Sequence, residues 1–342
     1  MPAKTIDTSK FINPAQLGGI ESYTFDNGPA RGTRALCVNT GGGLRYRVLV
    51  DRGLDIDHAF LDQHSLVFLT HNGATPPTRA LDRGLGWLTS FLGGLLTSCG
   101  PFNIGAPCTD AGEECGLHGT HSNTAATIES VIQPEPHLGK REMKIVGRIR
   151  YGAFYGPCAE LKRTITSTLG SNDIHFVDEF YNAHNKTVPH DYLLHINFGY
   201  PLCDRGSEIT GKISKVEPQE GSEERFTANR WRIIPDALKA HAGPNSYVGY
   251  LFPTPDKSGH ATVGIVNRKL GIAATINYNT TQFNRCVNWQ HWGAGEYVTA
   301  LEPSTGRVEG RDKNRALGLL RDWKPGETIR YSYSISANRL KA

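Results

Sequence analysis

Three things are missing from this chain, and each removes a class of protein. There is no CxxC or HExxH motif, so a metal site has little footing and no metal or cofactor is expected. No segment approaches about eighteen consecutive apolar residues, which excludes a membrane-spanning helix. The opening MPAKTIDTSKFINPAQLGG also lacks the apolar run of a signal peptide, so a cytoplasmic location without membrane contact is expected. Blocks of like charge are missing as well. The 37 Lys and Arg against 33 Asp and Glu leave a net charge of +4 that is scattered, which gives no reason to expect nucleic acid as a partner. Seven cysteines, an odd number spread over 342 residues, fit reduced thiols better than a disulfide framework. In such a compartment the sequons at Asn185 and Asn279 carry no glycan.

Alternation of strands with helices is also absent, which argues against a doubly wound sheet. The glycines at Gly41–Gly43 and Gly93–Gly94 do not follow a strand in the spacing of a phosphate-cradling loop. What the chain does have is short runs with period-two alternation: Lys144–Tyr151, Leu161–Leu169, Asp173–Asn182, Ala261–Val266, Ile272–Tyr278 and Thr328–Ile335. Turn residues separate them, and 38 Gly and 19 Pro supply many tight connections. The only plausible helical rhythm lies in Arg79–Gly100, where glycines limit its length, and Val216–Arg225 reads as an exposed loop. With 38% hydrophobic residues and no repeat or domain boundary, the expectation is an all-β protein. It forms one domain over residues 1–342, with about 20 residues of N-terminal extension.

Two strands carry one chemically capable residue each. In LLHINFGYP (Leu193–Pro201), alternate side chains put Leu193, His195 and Asn197 on one face. In YVTALEP (Tyr297–Pro303), Val298, Ala300 and Glu302 share a face. A lone His and a lone Glu on apolar strands read as an acid and a base aimed into one pocket. The alternatives are a core histidine satisfied by a backbone carbonyl and a glutamate marking the strand's exit at Pro303. His118 lies in a loop bracketed by Gly116 and Gly119, where backbone can approach a ligand closely; His121 nearby leaves a zinc pair without a third ligand. Arg52 offers a guanidinium fork to sugar hydroxyls or a carboxylate, or else pairs with Asp51 or Asp55. Trp289 and Trp292 flank Gln290 and His291, a grouping that suits a pyranose but is also common in cores.

Taken together, the RGLDI, FLGGLLTSCG, GLHGTHSN, LLHINFGYP, GEYVTALEP and PGET segments resemble the aldose 1-epimerase, or galactose mutarotase, superfamily, and most closely a poorly characterised bacterial branch of it. The resemblance implies a large antiparallel β-sandwich with a sugar in an open cleft on a concave sheet. It assigns His195 as general acid on the ring oxygen, Glu302 as general base on the anomeric hydroxyl, and His118 as a residue that holds and polarises the sugar. Arg52, Asn197 and Gln290 follow as substrate contacts. The superfamily's sugar-anchoring aspartate has no clear counterpart, with Asn245 standing nearest in place. The implied activity is anomer interconversion without a cofactor, with Glu302 ionised and His195 protonated by mutual attraction. Its rivals are epimerisation at another carbon, a lyase or lactonase step in the same cleft, and a non-catalytic carbohydrate-binding protein. A small-molecule sugar is the expected partner, and a homodimer is left open.

Overall fold

The computed structural model describes residues 6–240 and 246–341; Asn245 lies outside the described residues. Eight strands form one antiparallel sheet, in the spatial order Glu208–Gly211, His260–Asn267, Ile272–Asn279, Thr328–Arg339, Asp173–Asn182, Cys158–Thr168, Glu142–Gly152 and Ala126–Ile132. All six alternating runs of the sequence lie in it. Their period-two pattern has a physical cause, which the strand Cys158–Thr168 illustrates: Ala159, Leu161, Arg163, Ile165 and Ser167 are buried while the residues between them are not.

A second antiparallel sheet runs Ile213–Pro218, Tyr247–Pro253, Arg285–Gly293, Glu296–Ser304, Leu193–Gly199 and Thr97–Cys99. Its central strands are covered on both faces, and every residue of Leu193–Gly199 is buried. Such a strand reads as a continuous apolar run, so the few polar residues within it stand out. One face packs on the eight-stranded sheet through Leu194, Ile196, Phe198, Leu251, Cys286 and Leu301 in a single core. The other face carries Leu193, Tyr250 and Val287, clustered with Trp87, Phe91 and Ile104. A five-stranded sheet from Gly19 to Ser65 completes the sandwich. Among the described residues, no helix is long and apolar enough to cross a membrane, and all seven cysteines are free.

Two local expectations do not hold. Arg79–Gly100 contains only a 3-10 turn at Arg79–Leu81 and one helical turn at Trp87–Ser90, after which the chain enters the strand Thr97–Cys99. Glycines at positive φ, Gly93 and Gly94, stop the helix and turn the chain back against Phe68 and Ile56. Val216–Arg225 is not simply a loop, because strand pairing continues to Pro218 and a short helix spans Glu223–Phe226.

At the centre of the sandwich lies a charged node that the sequence does not advertise. Arg163, fully buried, donates to both carboxylate oxygens of Asp178 at 2.8 and 3.0 Å, to Asp55 Oδ1 at 3.2 Å and to the Gly53 carbonyl at 3.1 Å. It also donates to Ser98 Oγ at 2.9 Å and the Tyr192 hydroxyl at 2.7 Å. Tyr192 and Tyr333 donate in turn to Asp178. A guanidinium can be buried when every donor finds such an acceptor.

Candidate active site

The register of two neighbouring strands creates the site. Leu193 pairs with Ser304 and Ile196 with Leu301, so His195 falls directly across from Glu302. Thr97 lies on the other side of His195 and Val287 on the other side of Glu302. Residues opposite one another in an antiparallel pair point to the same face. The His195 Nε2 atom is 3.3 Å from Glu302 Oε1. His195 is 5% exposed and Glu302 2%. The contact is close but not aligned as a hydrogen bond. Among the described residues, Glu302 Oε1 and His195 Nδ1 have no hydrogen-bond partner. Buried polar atoms without partners are costly, and such pairs concentrate where a ligand completes the network.

Burial governs the protonation of the pair. It pushes the Glu302 carboxyl well above its ordinary range and lowers His195 to about 4, the Asn197 amide beside the ring acting in the opposite direction. Burial thus works against the expected ion pair and favours the neutral carboxylic acid and neutral imidazole. The proton count is the same in both forms, so the two groups hold one transferable proton between them.

Aromatic rings wall the pair. Trp87 and Phe91 stack at 4.6 Å, Phe91 lies 5.2 Å from the His195 ring, and Trp289 stands edge-on to it at 5.5 Å. His118 completes the group, its ring 5.6 Å from that of His195 and 4.6 Å from Trp87. His118 adopts φ 59°, and the turn beyond it is fixed because a Cβ on Gly119 would stand 2.7 Å from the carbonyls of Gly100 and Asn103. The Gly105 N–H donates to His118 Nδ1 at 3.3 Å. Burial, and then the proximity of His195, keep this imidazole uncharged, so its proton sits on Nε2 and can be donated. Trp87 and Phe91 beside the pair are buried, while Trp289, Phe252, Val248 and Leu117 in the same cluster are half-buried.

The structure thus brings His118, His195 and Glu302 together, keeps Asn197 on the same face, and commits Arg52 and Gln290 to hydrogen bonds elsewhere. Arg52 is 1% exposed and donates to the carbonyls of Ser122, Thr75 and Ser90 and to Thr75 Oγ1. It holds the segment that carries Trp87 and Phe91, while Asp51 and Asp55 pair with Arg34 and Arg163. Gln290 points to the opposite face from Val287 and Trp289, where it donates to the Trp231 carbonyl and Asn288 and accepts from Arg225. Asn197 shares the face of His195; its amide donates to the carbonyls of Gly94 and His195, while its Oδ1 has no hydrogen-bond partner among the described residues. His121 is taken up by the Gly53 carbonyl and the Tyr151 hydroxyl. Among the described residues no cluster of three His, Cys, Asp or Glu side chains could hold a metal ion. Trp87 and Phe91 were not foreseen, because they sit in the stretch that reads as helical.

A separate cavity of about 790 Å³ opens on the N-terminal sheet, lined by Glu21, Cys37, Arg45, Arg47, His58 and Phe60 among others. Of its charged side chains, Arg47 is tied to Asp57.

Known proteins share this fold. No curated protein sequence matches the chain. A solved structure from Klebsiella pneumoniae subsp. pneumoniae MGH 78578, described as a candidate aldose 1-epimerase, superposes with a TM-score of 0.85 at 21% identity, over 95% of this chain and 86% of that one. A galactose mutarotase-like protein from Clostridium acetobutylicum gives 0.66 at 10% identity, over 94% and 98%. The galactose 1-epimerase of Lactobacillus acidophilus NCFM gives 0.58 at 10% identity, over 94% and 99%. These likenesses establish the galactose mutarotase-like β-sandwich fold. The family model described as a domain of unknown function, DUF4432, matches residues 30–337, and the chain belongs to that family.

Proposed function

We propose that the protein is a sugar isomerase of the aldose 1-epimerase type, which interconverts anomers by opening and closing the ring. The observation that carries this reading is the opposition of His195 and Glu302 at 3.3 Å on a buried, aromatic-walled face. Anomer interconversion needs one proton removed from the C1 hydroxyl and one delivered to the ring oxygen. Both oxygens are bonded to the same carbon, so two groups in contact can serve both. A pair that holds a single proton is competent in either direction: whichever member is unprotonated acts as base, the other as acid, and closure of the ring exchanges them. His118 Nε2–H supplies a neutral donor to a sugar oxygen, and Trp289 offers an indole face to the C–H side of the ring. The Asn197 amide holds the His195 carbonyl.

Freshly dissolved single anomers of aldoses, followed by polarimetry and proton NMR, test the reading directly. The expected result is faster approach to the anomeric equilibrium with no product of new mass. A new mass or a new configuration at another carbon would point instead to lyase, lactonase or epimerase chemistry in the same cleft.

The pH profile carries the mark of the buried pair. Lowering the pH through about 4 adds a proton to His195 and leaves the pair with an acid but no base. Raising the pH must pass the elevated value of Glu302 before the shared proton is lost. Values of kcat/KM, corrected for the uncatalysed reaction, are therefore expected to stay level from about pH 5 to neutrality. An acid limb near the ordinary histidine value of about 6.5 would contradict this electrostatic picture.

A further inference from the structure

Arg285 begins the strand that runs beside Glu302, and it lies across from Ser304 just as Val287 lies across from Glu302. Residues 285, 287 and 289 share one face, so Arg285 stands on the same side of the sheet as the acid–base pair. It is 6% exposed. Among the described residues its one side-chain hydrogen bond runs from Nε to Asn284 Oδ1 at 2.8 Å, and its guanidinium carbon is 5.9 Å from the Phe252 ring centre. Among the described residues no carboxylate comes within ion-pair distance of it.

The surrounding charges are already committed. Arg307, 4.0 Å over the Tyr250 ring, is held by Glu309 at 3.0 Å and Glu217 at 3.2 Å, and Lys215 also pairs with Glu217. The buried Asp191 carboxylate accepts from Thr305 at 2.5 Å and Asn314 at 2.7 Å. The two terminal nitrogens of Arg285 thus make no hydrogen bond; Arg307 opposes its charge while Asp191 and Glu217 favour it only at longer range, so an anion on a ligand would supply the contact pairing it lacks.

We propose that Arg285 receives an anionic group of the substrate, so that the sugar taken by this site is an acidic one, carrying a carboxylate or phosphate at the end remote from C1. The proposal rests on the reading of His195 and Glu302 as the ring-opening pair. Two residues along a strand span about 7 Å, the reach from the anomeric carbon of a hexose to a charged group on its last carbon. A planar guanidinium presents paired donors that match either anion.

The test compares wild-type protein on single anomers of glucose, galactose, glucuronic acid and glucose 6-phosphate, with ligand-observed NMR for binding and exchange NMR for turnover. Expected is a kcat/KM on an acidic sugar on the order of 100-fold above that on its neutral parent. The two acidic sugars tell carboxylate from phosphate. In Arg285→Gln the ratio of acidic to neutral collapses toward one, and Arg285→Lys, which keeps the charge but loses the fork, falls between. Equal turnover of neutral and acidic sugars by the wild type overturns this inference and leaves the isomerase reading intact; so does an Arg285→Gln variant that lowers both alike. Arg285-dependent binding of an acidic sugar without anomer exchange sustains the inference and overturns the isomerase reading. Failure to bind or turn over either acidic sugar overturns the inference.

Discussion

Glu302→Gln is expected to lower kcat/KM for anomer interconversion on the order of 10²- to 10⁴-fold while leaving the fold intact. Glutamine keeps the size of the side chain and removes its capacity to gain or lose a proton, so His195 is left without a partner for the transfer. No structural hydrogen bond to Glu302 Oε1 is lost, because that atom has none among the described residues. A neutral amide also relieves whatever cost the buried carboxyl imposes, so the thermal midpoint should not fall. His195→Asn is expected to match the loss in rate. Stopped polarimetry of both variants beside a melting curve checks the claim; full activity in either would falsify the assignment of the pair.

The largest effect on stability is expected from Arg163→Met, at about 3–5 kcal/mol. Methionine fits the volume poorly but the main cost is electrostatic: Asp178 and Asp55 would remain buried without their cation, and the Ser98 and Tyr192 hydroxyls would lose a partner. Urea unfolding measures the difference. Neutralising the stranded carboxyls in Arg163→Met/Asp55→Asn/Asp178→Asn should recover part of the loss, since a buried charge that lost its partner is worse than no charge. A single variant within 1 kcal/mol of wild type on that same urea scale would mean that water reaches the node.

Much of the architecture was legible because alternation is a local property. All six period-two runs became strands of the eight-stranded sheet, differing from the reading only at their ends. His195 and Glu302 stood out for the opposite reason, as isolated polar residues on strands covered on both faces. That they aim into one pocket was the expectation; that they stand directly across from each other in register could not be read, because register depends on pairing between segments about a hundred residues apart. Gln290 could have been set aside from the alternation in Arg285–Gly293, which puts it opposite to Trp289, and the same alternation would have drawn Arg285 into the site. Arg52 could not, since its partners are backbone carbonyls brought in by Thr75, Ser90 and Ser122, which no side-chain pattern announces. The aromatic cover escaped for a similar reason: a single helical turn at Trp87–Ser90, interrupted by glycines, imitates the rhythm of a longer helix.

The Arg163 node also joins separate parts of the chain. Gly53 and Asp55 reach it from the N-terminal sheet, Asp178 and Arg163 from the eight-stranded sheet, and Ser98 and Tyr192 from segments next to the site. Removal of residues 19–65 would take Gly53 and Asp55 from the node and leave a buried guanidinium short of partners. The N-terminal sheet is therefore anchored to the rest of the chain by buried charge as well as by apolar packing.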